Sequence, residues 1–271
     1  MDKRRLIIIA SFVLALIIAV ILFKFKANIA SSVKRGNTPS QVALLNQAQG
    51  LEAKGELMDV RAIFQKLASE FPNSPEIMNW QKKIEELNIK LLFSPLITSR
   101  STTYEIKPGD NLTKIAKDFK TTVELLKRSN NISDDKILPG RKIKVWRAPF
   151  SILVDKSQNI LILKTDEDVF KTYTVSTGNN NSTPIGNFKI VDKLENPTWF
   201  KTGAVVPAGS PENILGSRWL GLSIPGYGIH GTTDPESLGQ QVTQGCVRMS
   251  NSEVEELYAI VPVGTEVSII D

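Results

Sequence analysis

The sequence predicts a multidomain chain in four parts: an N-terminal transmembrane helix, an all-α segment, a small βααβ unit and a mainly-β domain. Three observations predict it. Residues 6–23 are apolar apart from Ser11. Apolar residues then recur at helical spacing between Leu44 and Leu87. From Phe150 onward, short strand-like runs are broken by turn residues. The expected boundaries are 1–36 for a cytoplasmic tip, anchor and linker, 37–100 for the helical segment, 101–148 for the βααβ unit and 149–271 for the β domain.

Composition removes several classes of chemistry. The chain of 271 residues has one Cys, Cys246, and one His, His230. A structural zinc site takes about four Cys/His ligands and a helical zinc-protease site takes two His one turn apart, so neither is expected. A single Cys also rules out an intramolecular disulfide. No metal or organic cofactor is called for. The 33 Lys+Arg against 28 Asp+Glu first suggest a nucleic-acid partner, but the charges are unevenly placed. Residues 1–36 carry seven basic side chains against Asp2 alone, 101–148 carry eleven against six, and 149–271 carry eight against fourteen. The basic excess flanks the apolar run, so nucleic acid is not an expected partner.

The anchor comes first. The 18 residues Leu6–Phe23 span about 27 Å as a helix, close to the ~30 Å hydrocarbon core. The one cleavage-like stretch, ending at Ala30, has Asn28 where a small residue belongs and Lys24 and Lys26 just before it. An uncleaved single-pass anchor is therefore expected, with a cleaved signal as the alternative. Lys3, Arg4 and Arg5 favour a cytoplasmic N-terminus, but the basic residues on the other flank weaken that signal. What the later domains act on must decide the orientation.

After a polar linker come three helical patterns. Leu44, Ala48 and Leu51 mark the first, which Gly55 ends. Val60, Ile63, Phe64, Leu67, Ala68 and Phe71 mark the second, and Ile77, Trp80, Ile84 and Leu87 the third, with Pro72 and Pro75 between them. The order resembles a single tetratricopeptide (TPR) unit. One repeat falls short of the three or so that a solenoid needs, so a helical spacer is expected, with a protein-docking surface as the alternative.

Residues 103–145 read as strand, helix, helix, strand. Pro108-Gly109 turns the chain out of the first strand, Asp110 is placed to cap a helix carrying Leu112, Ile115, Ala116 and Phe119, and Thr121 with Glu124 fits a capping box for the next. Pro139-Gly140 leads into the closing strand Lys142–Val145. Through "YEIKPGDNLTKIA" and "LPGRKIKV" this segment resembles a LysM domain. The resemblance implies binding to glycans containing N-acetylglucosamine, chiefly peptidoglycan. Its two groove loops would map to Gly109, Asp110, Asn111 and Leu112, and to Asn131, Ile132 and Ser133. For Gly109 and Asp110, turn and cap duties already explain the residue types.

In the last domain, "SILV", "NILILK" and "VFKTYTVS" read as antiparallel hairpins, joined by "TPIGNFKIVDK" and "TEVSII". One helix is expected at 250–261, opened by the capping box Ser250…Glu253. Both singular residues lie here, His230 at a strand end and Cys246 in a Gly-flanked turn. A free thiol is only a few per cent thiolate at neutral pH and needs a base, which His can be. Gly245 permits close approach of substrate and lets backbone N–H groups aim at an oxyanion. Residue types alone leave open a buried thiol and a structural imidazole.

"IHGT" followed by "TQGCVRMSN", with "STPIGNFKI" and "GAVVPAG" upstream, resembles the L,D-transpeptidase (YkuD) family over residues 151–270. The resemblance implies Cys246 as nucleophile, His230 as base and the Gly231 carbonyl as the orienter of the imidazole. It implies a substrate-binding or loop role for Arg248, Gly245, Gln244, Thr243, Asn251 and Tyr227, with Trp219 a further candidate for the cleft wall. Gln244 stands where many members have His. The implied reaction is attack on the L,D bond of a peptidoglycan stem, loss of D-alanine, and 3→3 cross-linking through a cysteinyl thioester. Such a substrate would put the domains on the periplasmic or exterior side of the cytoplasmic membrane. An L,D-carboxypeptidase using water and a non-catalytic LysM wall anchor are the rivals. A papain-like order of Cys before His is not present, nor a G-x-S-x-G elbow, since Ser223 has Pro225 where the second Gly belongs.

Overall fold

The computed structural model describes residues 40–271 apart from Thr202. The expected anchor at 6–23 and its linker lie outside the described residues. Among the described residues, no helix is long and apolar enough to cross a membrane. Two compact units divide the chain, Met1–Asn46 and Gln47–Asp271. Of the first, the described part is Ser40 and the opening of helix α1 (Gln41–Ala53), where Ser40 Oγ accepts from the N–H of Ala43.

In the second unit, Gly55 at φ +75° turns the chain into α2 (Leu57–Glu70), which is followed by α3 (Ile77–Leu92). The last turns of α3 are buried at Leu87, Asn88, Ile89, Leu91 and Leu92. This corrects the expectation of a TPR-like spacer. Ile89 and Leu92 belong to the core of the β domain, and Asn88 Nδ2 donates to the carbonyl of Phe170 across 3.0 Å. A spacer keeps a polar surface all round; α3 has apolar residues on more than one face because two neighbours cover it.

The βααβ unit pairs β1 (Ser101–Glu105) antiparallel with β2 (Lys142–Trp146), over α4 (Leu112–Asp118) and α5 (Val123–Ser129). Its core gathers Ile106, Leu112, Ile115, Ala116, Leu126, Ile132, Ile143 and Val145. Both expected caps shift by one residue. Asn111, not Asp110, is the N-cap of α4, its side chain accepting from the N–H of Lys114. Asp110 instead accepts from Tyr104 Oη, the Lys107 N–H and Lys114 Nζ. Those three donors hold its carboxyl down at about 2, with Tyr104 the largest influence. Thr122, not Thr121, caps α5, accepting from the N–H of Leu125 and donating to the carbonyl of Ala259 in the β domain.

The β domain is built on one eight-stranded sheet, ordered β13-β11-β10-β7-β14-β3-β4-β5. Its strands are β3 (Phe150–Asp155), β4 (Ile160–Thr165), β5 (Asp168–Thr174), β7 (Gly186–Glu195), β10 (Arg218–Leu222), β11 (Gly228–His230), β13 (Val247–Arg248) and β14 (Glu266–Ile270). β3 and β4 alternate buried and half-buried residues, with Phe150, Ile152 and Val154 facing in beside Leu161 and Leu163. The turn between them is set by Asp155, which accepts from Ser157 and Gln158, and by Asn159 at φ +52°. Within this sheet two pairings are parallel, β14 with β3 and β11 with β13. Smaller pairs join β6 (Thr177–Gly178) to β12 (Gln241–Thr243) and β8 (Trp199–Lys201) to β9 (Ala204–Val206). Helix α6 (Asn251–Ile260) is capped as expected: Ser250 Oγ accepts from the N–H of Glu253 and donates to its carboxylate.

Candidate active site

The parallel pairing of β11 with β13 brings the two singular residues together. Ile229 lies opposite Val247 and His230 opposite Arg248. Side chains alternate along a strand, so Cys246, two residues before Arg248, projects to the same side as Arg248 and His230. Val247 and Ile229 point the other way, into the core. His230, Cys246 and Arg248 accordingly line one cleft of 610 Å³.

His230 is 2% exposed. Its Nδ1 lies 2.7 Å from the carbonyl oxygen of Gly231. A carbonyl only accepts, so Nδ1 carries the proton and Nε2 keeps the free lone pair. Trp219 is paired with His230 across β10 and β11 and stacks on the imidazole, centroids 6.0 Å apart and planes 18° off parallel. A Cβ at Gly228 would come within 2.6 Å of that indole, which is why the strand carries glycine there. This burial pushes the imidazole down to about 4; the bond to Gly231 works against the shift and the charge of Arg248 adds to it.

The Cys246 thiol donates to the carbonyl of Gly226 at 3.7 Å. Burial raises its pKa, opposed by a backbone contact from Gly228 and by the Arg248 charge. Thiol and imidazole are therefore both neutral at rest. The turn before Cys246 is held by Thr243, whose Oγ1 donates to the Cys246 carbonyl at 2.6 Å and accepts from the Gly245 N–H at 3.2 Å. The Gly245 N–H is thus engaged within the turn itself. Gly245 sits at φ +126°, and a Cβ there would meet the Tyr227 ring at 2.7 Å. Tyr227 backs this turn and packs on the core of the β domain.

Arg248 Nη1 donates to Ser237 Oγ at 2.8 Å and lies 3.8 Å from Asp234 Oδ2. Its main chain exchanges two hydrogen bonds with Ser176. Gln244 lines the cleft and is exposed. Asn251 does not cap α6: its amide reaches Ser217 and Thr232, beside Gly231. The far wall escaped the sequence reading. It is formed by Leu194, Trp199, Phe200, Leu215 and Val242, and Phe200 is 76% exposed on the β8–β9 hairpin. The aromatic pair in "PTWFK" was its available signal. Among the described residues, no group of three or more His, Cys, Asp or Glu side chains is placed to hold a metal ion.

In the βααβ unit, Gly109 takes φ +83° and Asn131 φ +52°, both as turn residues. Leu112 and Ile132 are 3% and 7% exposed, so their side chains serve the core and leave only main-chain atoms for a ligand. Asn131, Ile132 and Ser133 edge a cavity of 540 Å³, together with Glu124, Lys127 and Arg128.

Residues 149–269 match the family described as the L,D-transpeptidase catalytic domain, YkuD, and residues 104–146 match the LysM domain. A Bacillus subtilis (strain 168) protein named as an L,D-transpeptidase, YkuD, is 36% identical over 174 residues, spanning 62% of this chain and 98% of its own. A Bacillus licheniformis protein of the same name is 37% identical over 174 residues, spanning 61% and 97%. Bacillus subtilis YqjB, also named as an L,D-transpeptidase, is 43% identical over 126 residues, spanning 44% and 70%. With residues 149–269 matching that catalytic domain, a LysM domain N-terminal to it, and a relative 36% identical over 98% of its length, this chain belongs to the YkuD family of L,D-transpeptidases.

Proposed function

We propose that this protein is a peptidoglycan L,D-transpeptidase that forms 3→3 cross-links through a thioester on Cys246. The observation that carries the proposal is the Nδ1–H of His230 held on the Gly231 carbonyl, which leaves Nε2 as the only basic nitrogen among the described residues that line the Cys246 cleft.

Because thiol and imidazole are neutral at rest, proton transfer accompanies attack. Nε2 takes the thiol proton as Sγ bonds to the carbonyl carbon of the L,D peptide bond between the third residue of a stem and its terminal D-alanine. The C–N bond then breaks, the imidazolium gives its proton to the departing amine, and D-alanine leaves. The amine of another stem's third residue next attacks the thioester, loses a proton to His230, and Sγ departs to be reprotonated. Arg248, steadied from behind by Ser237 and Asp234, offers a fixed cation to a stem carboxylate. Gln244, exposed at the rim, contacts the acceptor.

The LysM domain holds the glycan strand through the main chain of Gly109–Leu112 and through Asn131–Ser133. Residues 6–23 anchor the chain in the cytoplasmic membrane, with the folded domains facing the periplasm or exterior. Muropeptide analysis after incubation with tetrapeptide-bearing peptidoglycan tests the reaction type. Cross-linked dimers with a 3→3 bond are expected, and tripeptides without dimers would replace transpeptidase by L,D-carboxypeptidase.

A further inference from the structure

We propose that Asn251 is the positioning residue that aims the Gly231 carbonyl at His230, the office a side-chain carboxylate fills in a Ser-His-Asp triad. The proposal rests on the Cys246–His230 reading and adds to it a residue outside the cysteine–histidine–glycine set.

The geometry runs through one peptide unit. The Gly231 carbonyl and the Thr232 N–H belong to the same planar amide and point to opposite sides of it. On one side the carbonyl accepts from His230 Nδ1 at 2.7 Å. On the other, the N–H donates to Asn251 Oδ1 at 3.1 Å. The two side chains thus clamp a single amide from its two edges, in a chain of donors and acceptors that polarise one another. Asn251 secures the neighbourhood further: Oδ1 accepts a second bond from the Ser217 N–H at 3.1 Å, and Nδ2 donates to the Thr232 carbonyl at 2.9 Å.

Glycine makes the clamp necessary. Gly231 has no side chain to resist rotation of the amide that follows it, so the carbonyl has a low barrier to swinging away. Glycine also makes the clamp feasible. A Cβ at Gly231 would lie 2.1 Å from Asn251 Oδ1, and one at Gly216 would lie 2.2 Å from the same atom. Two glycines in separate segments therefore admit one amide oxygen. Nor does capping explain Asn251, since Ser250 fills that position.

The single histidine makes the test direct. The full chain is labelled with nitrogen-15 at His230 and the ring proton is located by NMR. In the unaltered protein it sits on Nδ1. In Asn251→Ala it is expected to divide between Nδ1 and Nε2, and kcat for thioester formation with a tetrapeptide stem to fall about 10- to 100-fold with KM within about 2-fold. Asn251→Asp keeps the acceptor for Thr232 and Ser217 while giving up the donor to the Thr232 carbonyl, and is expected to restore the Nδ1 proton and part of kcat. Ser250→Ala weakens the same helix end and is expected to leave the proton in place. An unchanged proton position in Asn251→Ala would overturn the proposal, as would an equal redistribution in Ser250→Ala. If the unaltered protein forms no thioester, the acyl-transfer reading fails, while the tautomer comparison still decides the role of Asn251.

Discussion

The side-chain amide of Asn88 donates to the main-chain carbonyl of Phe170, joining the last turns of α3 to strand β5 in a buried setting. Asn88 Oδ1 accepts in turn from Arg61 Nη1 at 3.2 Å. Nearby, Glu85 accepts from Thr172 at 3.0 Å. The helical segment and the β domain therefore share a polar seam as well as the apolar contacts of Ile89 and Leu92. Asn88→Ala leaves the Phe170 carbonyl buried and unpaired. It is expected to destabilise the protein by about 1–3 kcal/mol in urea unfolding.

Lys144 makes the matching contact from the LysM side. Its buried ammonium donates to the carbonyls of Leu91, Ser94 and Leu92 at 2.6, 2.8 and 3.2 Å, satisfying the C-terminal end of α3. Burial brings the amine down to about 8 from an ordinary 10.5. The unfolded chain thus binds more protons between those values, and stability rises with pH across them. Lys144→Met is expected to lower stability at pH 7 by about 1–3 kcal/mol through the unpaired carbonyls. The gap between unaltered and variant protein should widen from pH 8 to pH 10.5, as read by denaturant unfolding at both.

His230 gives the opposite end of the pH range. With its imidazole at about 4 in the fold against an ordinary 6.5, the neutral ring is the folded form. The stability it contributes is fully present above about 6.5 and is lost as pH falls through about 4. The full loss is on the order of 3 kcal/mol. NMR titration of the single imidazole is expected to place its midpoint near 4, with the acid limb of kcat below the ordinary histidine range.

Cys246 should behave as a quiet thiol without substrate. Burial holds its pKa above that of a free cysteine, so alkylation by iodoacetamide at pH 7 is expected to be slower than that of a small-molecule thiol and to rise steeply on the alkaline side. Alkylation rates measured between pH 6 and 10 check this. Gly245→Ala, which meets Tyr227 and requires φ +126°, is expected to abolish acylation of Cys246.

What could be read from the sequence divides along the range of the interactions. The Gly-flanked turn at Cys246, the Ser250 cap and the Gly55 helix stop are set by neighbours a few residues away, and their residue types announce them. Asp110 and Thr121 were each misplaced by one residue because Asp-Asn and Thr-Thr offer two side chains able to cap, and only the backbone entry selects one. The packing of α3 was hidden because its partners, Phe170 and Lys144, lie some 50–80 residues further on. The burial of Leu112 follows from its place on the apolar face of α4, whereas that of Ile132, after the end of α5, has no local periodicity to announce it. Asn251 was legible as a loop residue, but its bond to Thr232 depends on how α6 docks beside β11.

The most direct measurement is the intact mass of the full chain after brief exposure to a tetrapeptide stem. The unaltered protein is expected to gain the mass of the stem less D-alanine, on Cys246, with free D-alanine in solution, and Cys246→Ala to gain nothing. An acyl adduct that persists in Cys246→Ala, or D-alanine release by that variant at the unaltered rate, would contradict a cysteinyl thioester.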